Sequence, residues 1–449
     1  MARQLFGTDG IRGVAGEFPL DPSTTCAVGA ALGHWISSHH LNPEVVIGID
    51  TRESGKSIAS SVAAGLARSG VKARFAGVIT TPGVAYLARS DHFAAGVMIS
   101  ASHNPYSDNG IKVIDHSGFK LPDEQEHTLE GEIFALLRQN IPASALELKV
   151  EDDLAKDYID YLASTFPGSL ANVDLVLDCA NGAASLLAPE LFQRLGARVY
   201  ATACSPDGRN INLNCGSLHL EYLRKEVLAR GAQIGIAFDG DADRALFVSH
   251  SGRVVDGDAV MLLTSLALKE QGRLGEADGE PVVVATVMSN LGLERALAAH
   301  GITLVRTPVG DKYVLEEMVR RGAKLGGEQS GHIIFRDWAT TGDGLLTALR
   351  VLEVIRNSGR DLDALSEELK IYPQRLVNVR VKEKRPLADL AHMNAAIRVA
   401  EADFGTAGRV LVRFSGTEPL ARVMVEGPDD ASVEHHANRI ADAIRKDLT

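Results

Sequence analysis

Cysteine is scarce in this chain of 449 residues, and the few cysteines present form no recognisable pattern. Cys26, Cys179, Cys204 and Cys215 are scattered, and no two of them make a CxxC pair. This spacing argues against a disulfide framework and is typical of reduced thiols in a cytoplasmic protein. Cys179 lies in an apolar run and is predicted to contribute only packing.

Long apolar runs and an excess of positive charge are also missing. No apolar run approaches the roughly 18 residues of a membrane-spanning helix, and Met1–Gly10 is too polar for a signal peptide. The chain has 46 Lys and Arg against 58 Asp and Glu, a net charge of −12. This balance disfavours broad binding to nucleic acid or anionic membranes. An anionic small substrate would require basic residues that are concentrated locally.

Three segments repeat one pattern of strand, polar turn, amphipathic helix, glycine at the helix end and second strand. They are Val45–Val78, Leu175–Thr202 and Pro281–Arg306. The pattern is typical of a βαβ unit. We therefore predict an α/β protein with three successive, related α/β domains built on mixed sheets.

After Tyr372 the pattern changes. Strands and helices no longer alternate regularly, which predicts a smaller C-terminal α+β domain. Polar breaks at Pro142–Asp153 and Ser249–Asp258 divide the preceding chain, whose length suffices for several domains. The predicted domains are residues 1–150, 151–252, 253–369 and 370–449.

A buried strand followed by a very polar loop occurs in the first predicted domain. Phe93–Ile99 is apolar and predicts the strand, and Ser100–Gly110 predicts the loop. Ile111–Ile114 predicts a returning strand, with Asn109-Gly110 supplying the turn.

Ser102 lies in that loop and is the candidate nucleophile. A rigid strand that delivers Ser102 with His103 and Asn104 into a loop suits this role, and Lys112 could reach the same place through the returning strand. The alternative is an ordinary polar loop between two strands.

Three aspartates follow another apolar strand, Ile234–Phe238, in the string DGDADR. Side chains alternate along extended backbone, so Asp239, Asp241 and Asp243 could share one face and repel one another unless a cation intervenes. Oxygen ligands favour a hard cation such as Mg²⁺. An EF-hand calcium loop is excluded, because Arg244 occupies its glycine position. A solvated acidic turn is the alternative.

Three further loops carry polar or basic side chains. They are LFGTDGIRG with Arg12, GGEQSGH with Glu328, Ser330 and His332, and RFSGTEPLAR with Arg413 and Arg422. Short polar side chains suit hexose hydroxyls, and arginines around backbone N–H groups suit a phosphate. The alternatives are a solvated arginine, a common glycine-rich turn, a structural histidine and a surface hairpin.

Taken together and in order, these strings resemble the motifs of the α-D-phosphohexomutase family over nearly the whole chain. The resemblance implies that Ser102 carries a phosphoryl group. It implies that one Mg²⁺ per chain is held by an oxygen of that phosphate and by the three aspartates of DGDADR, with Arg244 beside the phosphoserine.

The resemblance also assigns the substrate contacts. Glu328 and Ser330 would bind the 3- and 4-hydroxyls of the sugar, and the C-terminal loop would hold the phosphate that does not react. The segment TPVGDKY resembles another family segment, which implies that its Asp311 and Lys312 lie near the ligand. The substrate set is His103, Asn104, Asp311, Lys312, Glu328, Ser330, Arg413, Ser415, Gly416, Thr417 and Arg422, and the catalytic set is Ser102, Lys112, Arg244, His332 and Arg12.

Phosphoryl transfer to a sugar hydroxyl requires a general base. Lys112 is the first choice and His332 the second. Lys112 would need a lowered pKa, which Arg244 and the metal could supply.

Three strings, ISASHNP, INLNCGS and the sugar loop with Gln329, resemble the branch that acts on glucosamine phosphates. The implied reaction converts glucosamine 6-phosphate to glucosamine 1-phosphate through glucosamine 1,6-bisphosphate, which also activates the enzyme, and feeds UDP-N-acetylglucosamine and cell-wall precursor synthesis. Alternatives are a phosphomannomutase or phosphoglucomutase of broad specificity, a silent sugar-phosphate sensor, and a phosphatase. The expected partner is a small sugar phosphate, without nucleic acid or membrane, in a cytoplasmic monomer or homodimer.

Overall fold

The computed structural model describes residues 4–7, 9–39, 41–90, 92–275, 279–415 and 419–448. The chain divides into two compact units. The large unit comprises Met1–Met288 and Leu304–Ser366, and the small unit comprises Ser289–Thr303 and Glu367–Thr449.

The large unit begins with a six-stranded mixed sheet. Its strands are β1 (Phe6–Gly7), β2 (Gly10–Val14), β3 (Glu44–Ile49), β4 (Lys72–Val78), β5 (Ala95–Ile99) and β6 (Asp108–Asp115), and the helices of this region are α1 (Pro22–Ser38), α2 (Gly55–Ala67), α3 (Thr81–Ala88) and α4 (Asp123–Arg138). The order is β1-β2-β6-β5-β3-β4. β3 is parallel to β4 and β5, whereas β6 is antiparallel to β5 and β2. Apolar residues of the strands and of α1, α2 and α4 share one core.

A second mixed sheet of five strands follows. Its elements are α5 (Asp152–Ser164), β7 (Asp174–Asp178), α6 (Ala184–Arg194), β8 (Arg198–Thr202), α7 (Glu221–Arg230), β9 (Ile234–Phe238), β10 (Ala245–Ser249) and β11 (Val254–Val255). The order is β11-β10-β9-β7-β8. β7 is parallel to β8 and β9, and β10 is antiparallel to β9.

The third sheet has four strands. The elements of this part of the chain are α8 (Gly257–Glu270), β12 (Val282–Thr286), α9 (Leu291–Ala299), β13 (Thr303–Thr307), α10 (Asp311–Arg321), β14 (Leu325–Gly327), β15 (Ile333–Phe335), α11 (Gly344–Ser358) and α12 (Leu362–Ser366). The order is β13-β12-β14-β15, with β14 parallel to β12 and antiparallel to β15.

The small unit is an α+β structure. Its remaining elements are β16 (Gln374–Arg380), α13 (Ala391–Phe404), β17 (Arg409–Phe414), β18 (Leu420–Glu426) and α14 (Asp430–Leu448). The antiparallel sheet has the order β16-β18-β17 and shares a core with α13 and α14. Helix α9 belongs to this unit: Asn290 caps it, and the Asn290 Nδ2 donates to the Tyr372 carbonyl at 2.9 Å.

The three sheets of the large unit place one loop at the same topological position. A strand parallel to the first strand of each repeat ends in this loop, and an antiparallel strand returns from it. The loops join β5 to β6, β9 to β10 and β14 to β15, and they contain Ser102, the three aspartates and Glu328. The predicted fold class, three related α/β domains with mixed sheets and a smaller α+β domain, is confirmed.

Two local expectations were wrong. The N-terminal string predicted as a loop contains β1 and β2, so Arg12 lies in a strand. Asn109 and Gly110 lie inside β6, where Gly110 pairs with Arg12, and not in a turn. A Cβ at Gly110 would lie 2.5 Å from the Ser100 carbonyl oxygen, so this glycine permits close packing of backbones.

No helix within the described ranges is long and apolar enough to cross a lipid bilayer.

Candidate active site

Ser102 and the aspartate loop meet in the large unit. The Ser102 side chain is buried, and its Oγ donates a hydrogen bond of 2.5 Å to Oδ2 of Asp239. The Ser102 N–H donates to the Ser100 Oγ at 2.9 Å. The backbone at Ser102 is left-handed, with φ of 50°. The loop between β5 and β6 therefore presents a hydroxyl directly to the loop between β9 and β10.

The three aspartates converge through a turn. The Ala242 N–H donates to the Asp239 carbonyl at 3.1 Å, and Ala242 has φ of 54°. One oxygen from each of Asp239, Asp241 and Asp243 lies within 4.8 Å of the others. The predicted clustering occurs, but a turn produces it instead of alternation along extended backbone.

Burial makes this acidic cluster suited to a cation. Burial, followed by the charges of Asp243 and Asp241, raises the pKa of Asp239. Oδ1 of Asp241 and Oδ1 of Asp243 are buried and have no hydrogen-bond partner among the described residues. Buried carboxylate oxygens without partners are costly, and a hard divalent cation supplies such partners. These residues form a group that could hold a metal ion.

Lys112 lies on β6 beside this cluster and is fully buried. Its Nζ donates to Oδ2 of Asp241 at 2.8 Å and lies 3.0 Å from Oδ2 of Asp9. Burial alone would lower the pKa of Lys112, but Asp241 and Asp9 outweigh burial and raise it. The charges of the protein itself therefore do not supply the lowered pKa that a basic Lys112 would need, because carboxylates surround the ammonium group.

A cavity of about 390 Å³ opens beside Ser102. Its wall includes Arg12, His103 and Arg244. Nε of Arg12 and Nε of Arg244 are buried without a hydrogen-bond partner in the described part of the chain. Burial, then the charges of Arg244 and Arg12, lowers the pKa of His103 to about 4. Although the chain as a whole is acidic, positive charge is concentrated at this cavity, and it suits a phosphate.

His332 also lines this cavity, and it lies at the end of the loop between β14 and β15. Burial lowers the pKa of His332, whereas Asp243 and Asp311 are foremost among the groups that raise it to about 9. The Gly342 N–H, however, donates to Nε2 at 3.0 Å, which requires a lone pair there. Because this bond fixes the lone pair, we assign the neutral ring with its proton on Nδ1, which lies 3.5 Å from Oδ2 of Asp243.

Glu328 stands between two cavities. Its Oε1 accepts from the Gly310 N–H at 3.2 Å, and its Oε2 accepts from the Ser330 hydroxyl at 3.3 Å. Glu328 lines the cavity beside Ser102 and also a second cavity of about 400 Å³ that contains Ser330 and Gln329. The Gln329 side chain donates to Oδ2 of Asp256 at 3.1 Å. A sugar in the first cavity could accordingly meet the Glu328 carboxylate.

Lys312 and Asn104 are not among the described residues that line the first cavity. The Lys312 ammonium group pairs with Asp123 at the start of α4, because carboxylates of the first helical turn attract it there. Asn104 accepts a hydrogen bond of 3.3 Å from Arg12. Asp311 does line the cavity.

Sequence reasoning missed a charge bridge across this cavity. Lys120 pairs with Asp9 and donates to Oδ2 of Asp311 at 2.5 Å, so it joins the first and third sheet regions. Asp9 is also 2.5 Å from the Arg12 guanidinium group. The only available signal was the position of Asp9 in the same short string as Arg12.

In the small unit, Arg413 and Arg422 lie directly opposite each other on β17 and β18. Burial and the charge of Arg422 lower the pKa of Arg413. Lys384 adds a third cation and donates to the Ser415 carbonyl at 2.7 Å. Like charges directly opposite are unfavourable unless an anion lies between them. The other two predicted loop residues, Gly416 and Thr417, lie outside the described residues.

One known protein family matches this chain over most of its length. The four domains of the phosphoglucomutase/phosphomannomutase family match in order. Alpha/beta/alpha domain I matches residues 3–139, domain II residues 156–252, domain III residues 256–372 and the C-terminal domain residues 376–443.

A phosphoglucosamine mutase of Solibacter usitatus is 60% identical over 448 residues, which cover 100% of both chains. A crystal structure of a phosphoglucomutase/phosphomannomutase family protein from Burkholderia thailandensis has a TM-score of 0.80 at 25% identity, covering 98% of this chain and 97% of that one. The structure of Aspergillus fumigatus N-acetylphosphoglucosamine mutase shares the fold, with a TM-score of 0.65 at 19% identity and coverage of 99% and 96%. This chain belongs to the phosphoglucomutase/phosphomannomutase family, as a relative of its phosphoglucosamine mutases.

Proposed function

We propose that this protein interconverts glucosamine 6-phosphate and glucosamine 1-phosphate through a phosphoserine at Ser102. The observation that carries the proposal is the hydrogen bond from Ser102 to Asp239, inside an aspartate cluster and beside a cavity that Arg12 and Arg244 line. The 60% identity to a phosphoglucosamine mutase supports the choice of an amino sugar.

One Mg²⁺ per chain is the proposed cofactor. Asp239, Asp241 and Asp243 would hold it together with an oxygen of the phosphorylated Ser102, and the unpartnered oxygens of Asp241 and Asp243 fit this role. The Aspergillus fumigatus mutase was solved in complex with GlcNAc-6P and magnesium. When bound, the ion would neutralise charge on the transferring phosphoryl group.

The reaction has two transfers. First, the sugar O1 attacks the phosphorus of phosphoserine 102 and the bond from phosphorus to Oγ breaks. O1 gives its proton to a base, and Oγ takes up a proton as it leaves. The product, glucosamine 1,6-bisphosphate, turns so that its 6-phosphate faces the serine. The serine hydroxyl then loses its proton and Oγ attacks the phosphorus of the 6-phosphate. The bond from phosphorus to O6 breaks and O6 gains a proton, so glucosamine 1-phosphate leaves and the phosphoserine is restored. The transition state is loose, so Arg244 and Arg12 contribute mainly by positioning and by charge stabilisation.

The proton of the sugar hydroxyl requires an acceptor. We retain Lys112 and His332 as the two candidates. The neutral His332 has its Nε2 lone pair engaged by Gly342, and Lys112 is held as an ammonium by Asp241 and Asp9. Either group would have to change its hydrogen bonds when substrate binds.

Glu328 is proposed to bind sugar hydroxyls together with Ser330. Replacement of Glu328 by Gln keeps the shape of the side chain but removes its charge-assisted hydrogen bonds. We expect kcat/KM for glucosamine 6-phosphate to fall by roughly 10- to 100-fold. Steady-state kinetics measure this, with the exposed Glu53→Gln as the control. A kcat/KM equal to that of the wild type would exclude Glu328 from sugar binding.

The loop between β17 and β18 is proposed to hold the phosphate that does not react. Arg413, Ser415, Gly416, Thr417 and Arg422 would contribute, because two directly opposed arginines suit a phosphate.

Replacement of Arg422 by Ala tests this loop. We expect KM to rise by roughly 10- to 100-fold with little change in stability, because a charge-assisted contact to phosphate is lost. The control is Arg375→Ala, which removes an exposed arginine of the same sheet that pairs with Glu434. An unaltered KM for Arg422→Ala would refute the assignment.

Substrate preference tests the function itself. We expect kcat/KM to be highest for glucosamine 6-phosphate among the glucosamine, glucose and mannose 6-phosphates. Equal values would favour the broad-specificity alternative, no interconversion would favour a sensor, and rapid release of phosphate without transfer would favour a phosphatase.

Other features remain predictions from the sequence. They are domain boundaries at residues 150, 252 and 369, a cytoplasmic location, a monomer or homodimer, and the absence of nucleic-acid and membrane partners.

A further inference from the structure

We propose that Arg52 is a positioning residue that holds the Ser102 loop in its reactive geometry. This inference rests on the proposed function, because it concerns the same nucleophile. Arg52 lies in the turn between β3 and α2, and its side chain is completely buried although it is charged.

The Arg52 guanidinium group donates most of its hydrogen bonds to one loop. Its Nη2 donates to the carbonyl oxygens of Ser102 at 3.0 Å and Asn104 at 2.8 Å. Its Nη1 donates to the carbonyl of Asp108 at 2.9 Å and also to that of Pro105. The planar guanidinium group therefore donates hydrogen bonds to four backbone carbonyls between the end of β5 and the start of β6.

Asp50 completes a closed ring of hydrogen bonds around the nucleophile. Its Oδ2 accepts from Arg52 Nε at 2.9 Å and from the Ser100 hydroxyl at 2.7 Å. The Ser100 Oγ in turn accepts from the Ser102 N–H. Both the N–H and the carbonyl of Ser102 are thus tied to one buried ion pair, with both side chains 0% exposed.

The second sheet region holds the same carbonyls from another direction. Asn212 Nδ2 donates to the Ser102 carbonyl at 2.9 Å and to the Asn104 carbonyl at 3.1 Å. A Cβ at Gly240, between Asp239 and Asp241, would lie 2.4 Å from the Ser102 carbonyl oxygen. The aspartate loop therefore packs on the very peptide that Arg52 and Asn212 hold.

This arrangement explains the backbone of Ser102. A left-handed φ of 50° is unfavourable for a residue with a side chain and persists only where the surroundings enforce it. Lysine cannot replace the arginine here, because an ammonium group lacks the planar fork that reaches several carbonyls at once. Arg52 thereby fixes the Ser102 hydroxyl relative to Asp239 without contacting the cavity itself.

The test compares Arg52→Lys with Arg350→Lys. Arg350 is a matched control, since it is also buried and donates to the Thr165 carbonyl at 2.5 Å, but it lies on α11 away from the Ser102 loop. We expect kcat of Arg52→Lys to fall by on the order of 100-fold with KM nearly unchanged, because small misplacement of a reacting group has effects of this size. The Arg350→Lys variant should lose comparable Tm and keep its kcat.

A second readout does not depend on activity. Amide hydrogen exchange in the peptides that cover residues 100–108 should accelerate in Arg52→Lys and not in Arg350→Lys. If Arg52→Lys fails to fold, Asn212→Ala should show the same pattern more weakly, with kcat lowered by roughly 10-fold.

The outcomes separate the two proposals. An unchanged kcat and unchanged exchange in Arg52→Lys, or in Asn212→Ala where Arg52→Lys does not fold, would overturn the positioning role. Absence of interconversion in the wild-type protein would instead contradict the proposed function, and hydrogen exchange would still decide whether Arg52 holds the loop.

Discussion

Replacement of Ser102 by Ala is expected to abolish the interconversion of glucosamine 6-phosphate and glucosamine 1-phosphate while the fold survives. The Ser102 Oγ is the proposed carrier of the phosphoryl group, and no neighbouring hydroxyl is bonded to Asp239 in its place within the described residues. We expect a loss of roughly 10⁴-fold or more in kcat, as for removal of other nucleophiles. The variant loses the hydrogen bond to Asp239 and a longer one of 3.4 Å with Nδ1 of His103. Each is worth about 1 kcal/mol of stability.

The measurement is turnover of purified protein supplied with glucosamine 1,6-bisphosphate, together with mass spectrometry of the Ser102 peptide. The wild-type peptide should carry one phosphoryl group and the variant none. Ser185→Ala is the control, because Ser185 is also buried and donates to the Gly182 carbonyl at 2.7 Å on α6. Near-normal turnover in Ser102→Ala would eliminate the phosphoserine mechanism.

The second large effect is expected for Asp241→Asn. Oδ2 of Asp241 already accepts from Lys112 at 2.8 Å and from Thr81 at 2.5 Å, whereas Oδ1 is buried without a partner in the described chain. The amide keeps the shape and removes the charge that a divalent cation requires. We expect the Mg²⁺ concentration for half-maximal activity to rise by at least roughly 10-fold and kcat to fall by on the order of 100-fold.

Titration of activity with Mg²⁺ measures this effect, and direct binding of Mg²⁺ by calorimetry provides a readout without turnover. Asp178→Asn is the control, because Asp178 is completely buried at the end of β7 and accepts from the Ala180 N–H at 3.0 Å. A metal titration identical to that of the wild type would count against the aspartate cluster as a cation site.

Parts of the fold and site could be predicted because their causes are local in the chain. Strand and helix periodicity in the three repeats predicted the related α/β domains, since side-chain direction follows from backbone geometry alone. Asp239, Asp241 and Asp243 lie within five residues, so their carboxylates had to be close in any compact turn. The turn geometry itself was not predictable, because Ala242 adopts a left-handed backbone that its residue type does not indicate.

By itself, the sequence determined the kind of protein, its family, its candidate nucleophile and its acidic cluster. Only the tertiary structure decided the surroundings of these groups. Asp9 and Asp241 hold Lys112 as an ammonium, and Arg52 donates hydrogen bonds to backbone carbonyls of the Ser102 loop. The partners in these contacts lie 50 or more positions apart in the chain. The physical reason is that a pKa or a hydrogen bond depends on every charge and donor nearby in space, and the folded chain brings those groups from distant segments.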